Sequence, residues 1–231
     1  MKPKIIAHKG FSEYYKGNSW EAFKKALEVE ADMCELDLVL TKDNKIFINH
    51  DYSIQGKLIA ELSLEEAKKL FPESPNLEEL LNWAIENKMG LLLEVKDRRV
   101  IEVLSEILSE FDASNFIIGS FDALFLKEFK KKNPHIRTSI MFGTVLGVDD
   151  MIRLTKKYEC EFAHPCWEHR HPYPHKLISK EDITKLNEEG IEVISWHEER
   201  PDELKELLKK GFYGITTNNP KLLKVLRDGE T

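Results

Sequence analysis

Cysteine is scarce in this chain. Cys34, Cys160 and Cys166 form an odd set with no C-x-x-C pair, which argues against a disulfide framework and a thiolate zinc site and suits a reducing compartment. Long apolar runs are also missing. Met1-Lys2-Pro3-Lys4 leads into only Ile5, Ile6 and Ala7, short of the roughly 7–15 apolar residues of a secretory signal. No window approaches the ~18 apolar residues of a spanning helix, so the expected location is the cytoplasm, with no transmembrane segment. Positive charge is in deficit. With 34 Lys and Arg against 41 Asp and Glu the formal net charge is −7, which argues against a nucleic-acid partner. Absent too are G-x-G-x-x-G after the first β-like run and G-x-x-x-x-G-K-[ST] anywhere, the phosphate loops that open doubly wound sheets often carry. No repeat, low-complexity tract or Pro/Gly/Ser-rich linker divides the chain, so residues 1–231 read as a single domain.

What is present is alternation. Nine short β-like runs occur at Ile5–Lys9, Met33–Thr41, Lys45–His50, Leu91–Lys96, Phe116–Phe121, Arg137–Phe142, Glu161–Trp167, Ile191–His197 and Tyr213–Asn218. Amphipathic stretches fall between them at Ser19–Glu30, Leu64–Leu70, Leu77–Glu86, Val100–Phe111, Ala123–Lys132, Asp149–Tyr158, Glu181–Glu188 and Asp202–Lys210. Ser63 before Glu66 and Ser179 before Asp182 supply cap chemistry. Only Lys42-Asp43-Asn44 separates the second run from the third, a hairpin length that predicts an antiparallel pair. Setting the hairpin's return strand aside leaves eight strands with helical connections. That count predicts a (β/α)8 TIM barrel with a small hairpin insertion after strand 2; an open doubly wound sheet is the alternative.

Chemistry in a barrel sits at the C-terminal strand ends, and several runs end in polar residues: Ala7-His8-Lys9-Gly10, Asn49-His50-Asp51 and Glu94-Val95-Lys96, with Glu35-Leu36-Asp37 inside the second. Residues two apart on a strand share a face, so Glu35 pairs with Asp37 and Glu94 with Lys96. Three carboxylates brought together would raise one another's pKa unless a cation neutralises them, and an all-oxygen set suits Mg²⁺, Ca²⁺ or Mn²⁺. The alternative is plain ion pairing of Glu35 and Asp37 with Lys96 and Lys9. Two imidazoles, His8 and His50, beside such a cluster fit general acid and base work at an anionic phosphorus centre.

These motifs resemble the glycerophosphodiester phosphodiesterase family. The matches run in order along nearly the whole chain: His8-Lys9-Gly10, Asn18-Ser19 with Ala22-Phe23, Glu35-Leu36-Asp37, Thr41-Lys42-Asp43, His50-Asp51, Glu94-Val95-Lys96, Ser120-Phe121, Trp196 and Thr216-Thr217-Asn218. The resemblance implies the barrel of phospholipase-C-like phosphodiesterases, one divalent ion on Glu35, Asp37 and Glu94, proton transfers by His8 and His50, and substrate contacts from Lys9, Lys96 and Trp196. It implies hydrolysis of a glycerophosphodiester to an alcohol and sn-glycerol 3-phosphate. Alternatives are a lysophospholipase D-type activity on lipids and a catalytically silent barrel that binds a phosphorylated ligand. Four residues depart from the family pattern. Lys9 stands at its arginine, Gly17 at the glutamate of Pro-Glu-Asn-Thr, Glu199 at the asparagine after Trp196, and Asn218 at the final aspartate. The first two changes read as coupled, because losing both members of an arginine–glutamate pair leaves no unpaired charge.

The loop Ser53–Leu62 is short and predicts a small lid over an open pocket. His164, His169, His171 and His175, interspersed with Pro165, Pro172, Pro174, Trp167 and Tyr173, match no zinc template and read as a strand-end loop beside the pocket, with a second metal site as the alternative.

Overall fold

The computed structural model describes residues 2–229. Its strands are β1 (Lys4–Ala7), β2 (Met33–Leu40), β3 (Ile46–Ile48), β4 (Ser53–Ile54), β5 (Lys57–Leu58), β6 (Gly90–Val95), β7 (Phe116–Ser120), β8 (Arg137–Phe142), β9 (Phe162–Pro165), β10 (Glu192–Ser195) and β11 (Gly214–Thr217). The helices are α1 (Trp20–Glu28), α2 (Leu64–Leu70), α3 (Leu77–Glu86), α4 (Ile101–Ser109), α5 (Ala123–Lys132), α6 (Val148–Lys157), α7 (Lys180–Glu188), α8 (Pro201–Leu207) and α9 (Pro220–Asp228). Eight strands pair in parallel in the order β1-β2-β6-β7-β8-β9-β10-β11, and β11 returns to β1 with Lys4 beside Gly214, so the sheet closes on itself. β3 hangs antiparallel on β2, with Leu38 opposite Ile48. This is the (β/α)8 barrel with its hairpin after the second strand.

All nine expected strands are present, trimmed by one or two residues where polar ends peel off into loops. Both predicted capping boxes form: Ser63 Oγ accepts from Glu66 N while the Glu66 carboxylate accepts from Ser63 N, and Ser179 with Asp182 does the same. Two elements escape the sequence reading. The β4–β5 ribbon is only two residues per strand, too short for any alternation to show. Helix α9 carries its own signal in the Asn219 side chain, which accepts from Leu222 N, and in Pro220 at the first helical position.

The barrel has two apolar layers. Outward strand residues such as Ile5, Cys34, Leu36, Leu91 and Ile118 pack against Phe23, Leu80, Leu104, Phe125 and Leu186 of the helices in the main core. Inward residues Ile6, Met33, Leu92, Ile117, Phe162 and Ile194 form a separate plug on the axis. Small residues make room for that plug. A Cβ at Gly90 would lie 2.6 Å from Met33 Cγ, and one at Gly214 2.7 Å from Ile6 Cδ1. Each strand carries its next inward side chain two residues further on, which takes the axis from apolar plug to polar site.

Candidate active site

One pleat above the plug, Ile6 gives way to His8, Met33 to Glu35 and Asp37, Leu92 to Glu94, Phe162 to His164 and Ile194 to Trp196. Glu35, Asp37 and Glu94 are all buried, and each places a carboxylate oxygen within 4.8 Å of the others. This is the one grouping of potential metal ligands among the described residues. Lys9 N donates to Glu35 Oε2 at 2.9 Å, and Asn18 Nδ2 donates to Asp37 Oδ2 at 2.8 Å. The Lys96 ammonium sits 3.1 Å from both Asp37 Oδ1 and Glu94 Oε1. Simple ion pairing thus accounts for part of the cluster and not for Glu35, whose Oε1 is buried without a partner and which Lys9 meets through its backbone. Burial, and then the charges of Asp37 and Glu94, push the Glu35 carboxyl well above the usual carboxylate range; burial and Asp37 also raise the Glu94 carboxyl, against the pull of Lys96. Burial opposes charge on Lys96 too, but Asp37 and Glu94 outweigh it and hold the ammonium protonated. Three oxygen-bearing anions share one cation, so the donor set fits a hard divalent ion.

His8 is buried against this cluster, with Nε2 3.9 Å from Glu35 Oε2. Its Nδ1 lies 2.7 Å from Asn218 Oδ1, which also accepts the Ser12 hydroxyl. An amide oxygen only accepts, so Nδ1 carries the hydrogen and Nε2 presents its lone pair. Burial, followed by the charges of Lys9 and His197, depresses the His8 pKa well below the ordinary value of 6.5. Trp196 meets the His8 ring edge-on at 4.7 Å, and His197 stacks on it at 4.6 Å. His197 Nδ1 donates to Glu199, 3.2 Å from Oε1, and that oxygen accepts from Asn218 N at 2.8 Å. Sequence reasoning missed this second imidazole–carboxylate pair. The departures at Glu199 and Asn218 were visible, whereas nothing in the sequence put His197 against His8. Asn18 was likewise visible only as part of a motif; its grip on Asp37 is a tertiary fact.

His50 stands at the rim, half exposed, with Nδ1 2.8 Å from Asp51 Oδ1. It lines a cleft of about 420 Å³ with Lys9, Gly17, Asn18 and the β4–β5 lid. Lys9 and Gly17 are neighbours there. A Cβ at Gly17 would fall 3.0 Å from Lys9 Cβ, so the lysine stem occupies the space a residue-17 side chain would enter. Gly10 turns the chain at φ +78°, where a Cβ would strike the Ala22 backbone at 2.6 Å. The four histidines from 164 to 175 do not converge. His164 is buried inside the barrel against Trp196, His169 is exposed, His171 bonds the Tyr173 backbone, and His175 pairs with Glu203.

The model of the glycerophosphoryl diester phosphodiesterase family matches residues 8–222. The glycerophosphodiester phosphodiesterase of Caldanaerobacter subterraneus subsp. tengcongensis is 27% identical, over 99% of this chain and 100% of its own. Human lysophospholipase D GDPD3 is 22% identical, over 96% of this chain and 84% of its own. Among solved structures, a glycerophosphodiester phosphodiesterase from Parabacteroides distasonis superposes with a TM-score of 0.83 at 24% identity, covering 100% of this chain and 99% of that one. An Oleispira antarctica phosphodiesterase in complex with the product sn-glycerol-3-phosphate superposes at 0.84 with 19% identity, covering 98% and 97%.

Proposed function

Because the chain belongs to the glycerophosphoryl diester phosphodiesterase family and is a phosphodiesterase of that kind, we propose that it hydrolyses glycerophosphodiesters to an alcohol and sn-glycerol 3-phosphate, with Glu35, Asp37 and Glu94 holding one Mg²⁺, Ca²⁺ or Mn²⁺ and with His8 and His50 moving the protons. The observation that carries this reading is the buried carboxylate cluster with the bare Nε2 of His8 against it. The ion, when bound, draws charge from the phosphoryl oxygens and offsets the mutual repulsion of the carboxylates.

His8 is neutral at pH 7 with its hydrogen fixed on Nδ1, so Nε2 takes a proton from the attacking water, whose oxygen stays on phosphorus, and gives that proton up to solvent as the products leave. As the new P–O bond forms and the old one breaks, His50 gives its proton to the leaving alcohol oxygen and regains one from the solvent it faces. Lys96 and Lys9 meet the phosphate charge, and Trp196 walls the pocket beside His8. The test is release of sn-glycerol 3-phosphate from glycerophosphocholine and glycerophosphoethanolamine with each ion or with chelator. Release should need the ion and fall by about 10²–10⁴ in His8→Ala. Binding of glycerol phosphate without turnover under any ion would replace this reading with the silent barrel.

A further inference from the structure

His8 meets the carboxylate cluster with one edge of its ring and a separate set of groups with the other. Three neighbouring strands supply that set: His8 follows β1, Asn218 follows β11, and His197 and Glu199 follow β10. On this side no carboxylate among the described residues touches His8 itself. Its Nδ1 donates to the neutral Asn218 amide, and its face is stacked on His197. The carboxylate stands one residue further out. Glu199 Oε1 accepts from Asn218 N at 2.8 Å and from His197 Nδ1 at 3.2 Å, so a single oxygen ties down both neighbours of His8.

The rest of this loop leaves that carboxylate free for them. Arg200 turns its guanidinium to Glu198, whose Oε1 also accepts from Glu199 N and Arg200 N, and Glu198 N donates to Thr216 O on β11. Among the described residues no Lys or Arg lies within 4 Å of the Glu199 carboxylate, and its ionic partner is His197. Burial opposes its charge, but His197 and Asn218 N outweigh burial and hold the carboxyl below its ordinary value. Glu199 is thus a standing negative charge with no fixed cation. His8 creates the need for one. As Nε2 takes its proton the ring becomes a cation, with Lys9 and His197 already opposing it. A neutral amide at 218 does not offset that charge, whereas a hydrogen-bonded chain polarises from one member to the next.

We propose that Glu199 is the positioning residue of His8. It anchors Asn218 against His8 Nδ1, which keeps the lone pair on Nε2, and it supplies from one residue away the counter-charge for the imidazolium that forms. The unusual residues at 199 and 218 are then one change. The carboxylate stands on 199 because 218 is an amide, and the reverse arrangement would put the carboxylate directly on Nδ1. The counter-charge rests on the hydrolytic reading above; the anchoring does not.

The test is a cycle at the two positions, read in hydrolysis of glycerophosphocholine with the divalent ion present. Glu199→Gln keeps the length and an acceptor for Asn218 N. It should lower kcat roughly tenfold with KM and the melting temperature unchanged, as loss of a partner that orients a functional imidazole does. Asn218→Asp should lower kcat in wild type, where it sets a second carboxylate beside Glu199. In Glu199→Gln it should raise kcat, because a carboxylate on Nδ1 replaces the lost charge. A merely structural role does not reverse sign in this way. An unchanged kcat in Glu199→Gln, a loss that sits in KM, or the same effect of Asn218→Asp in both backgrounds overturns the counter-charge. In proton NMR the His8 Nδ1–H signal should be sharp in wild type and broadened by exchange with water in Glu199→Ala. A signal already broad in wild type, or equally sharp in the variant, overturns the anchoring. That measurement still decides the anchoring where wild type hydrolyses nothing and the hydrolytic reading itself fails.

Discussion

Glu35 shows how a single side chain trades stability for chemistry. Its carboxyl is fully buried beside Asp37 and Glu94, with one oxygen lacking any partner. A buried charge without compensation is costly, and a ligand that binds only the folded state recovers the loss by mass action. Glu35→Gln should therefore raise the melting temperature of metal-free protein, by roughly 1–3 kcal/mol in unfolding free energy. Divalent ions should raise the melting temperature of wild type and not of the variant, which scanning calorimetry with and without chelator would decide. Lys9 and Gly17 form a second residue-scale unit. A side chain on residue 17 must push the Lys9 stem aside, so Gly17→Glu alone should lower kcat/KM, and Lys9→Arg alone should gain little. Combined with Gly17→Glu, Lys9→Arg has a carboxylate to pair with, and the double variant should exceed the sum of the singles by about 1 kcal/mol. Strict additivity in steady-state kinetics would rule the coupling out.

At the level of elements, the last helix closes the bottom of the barrel by one polar junction. Arg227 on α9 donates to Asp32 Oδ2 at 2.7 Å, and the same oxygen accepts from Ile5 N at 2.7 Å, so α9, β1 and the turn into β2 meet on one carboxylate. Arg227 is mostly buried, whereas the Lys69–Glu65 pair on α2 is open to water at both ends. Arg227→Ala should cost about 1–2 kcal/mol and Lys69→Ala less than about 0.5, because screening and side-chain entropy cancel most of an exposed pair. Urea midpoints of the two variants would compare them directly. Apart from α9, the strands and helices of the barrel were legible in the sequence to within three residues because their periodicities are local. The β4–β5 ribbon has no such signal; its lid is defined by what it covers.

For the molecule as a whole, the barrel axis sets the acid limit. His164 points inward from β9, fully buried, and burial depresses its pKa to about 3 from an ordinary 6.5. The unfolded chain binds this proton between those two values and the folded chain does not. Its contribution is therefore complete above about pH 6.5 and is lost as the pH falls, at about 1.4 kcal/mol per unit. His164→Phe should flatten that part of the stability curve, seen as a smaller difference between urea midpoints at neutral and mildly acid pH. An unchanged slope would place the acid sensitivity in other groups.

The amino-acid sequence by itself determined the class of fold, the hairpin after the second strand and the residues that form the carboxylate cluster. Alternation, turn length and the same-face rule act over a few residues, and the polar strand ends of one barrel have only one place to converge. Tertiary structure alone decided that Lys96 and not the Lys9 ammonium enters the cluster, that His8 is buried while His50 stays at the rim, and that His197 and Glu199 brace His8 from a strand distant in sequence. Closing a sheet brings together positions that no local pattern links, and both burial and charge depend on what those positions meet.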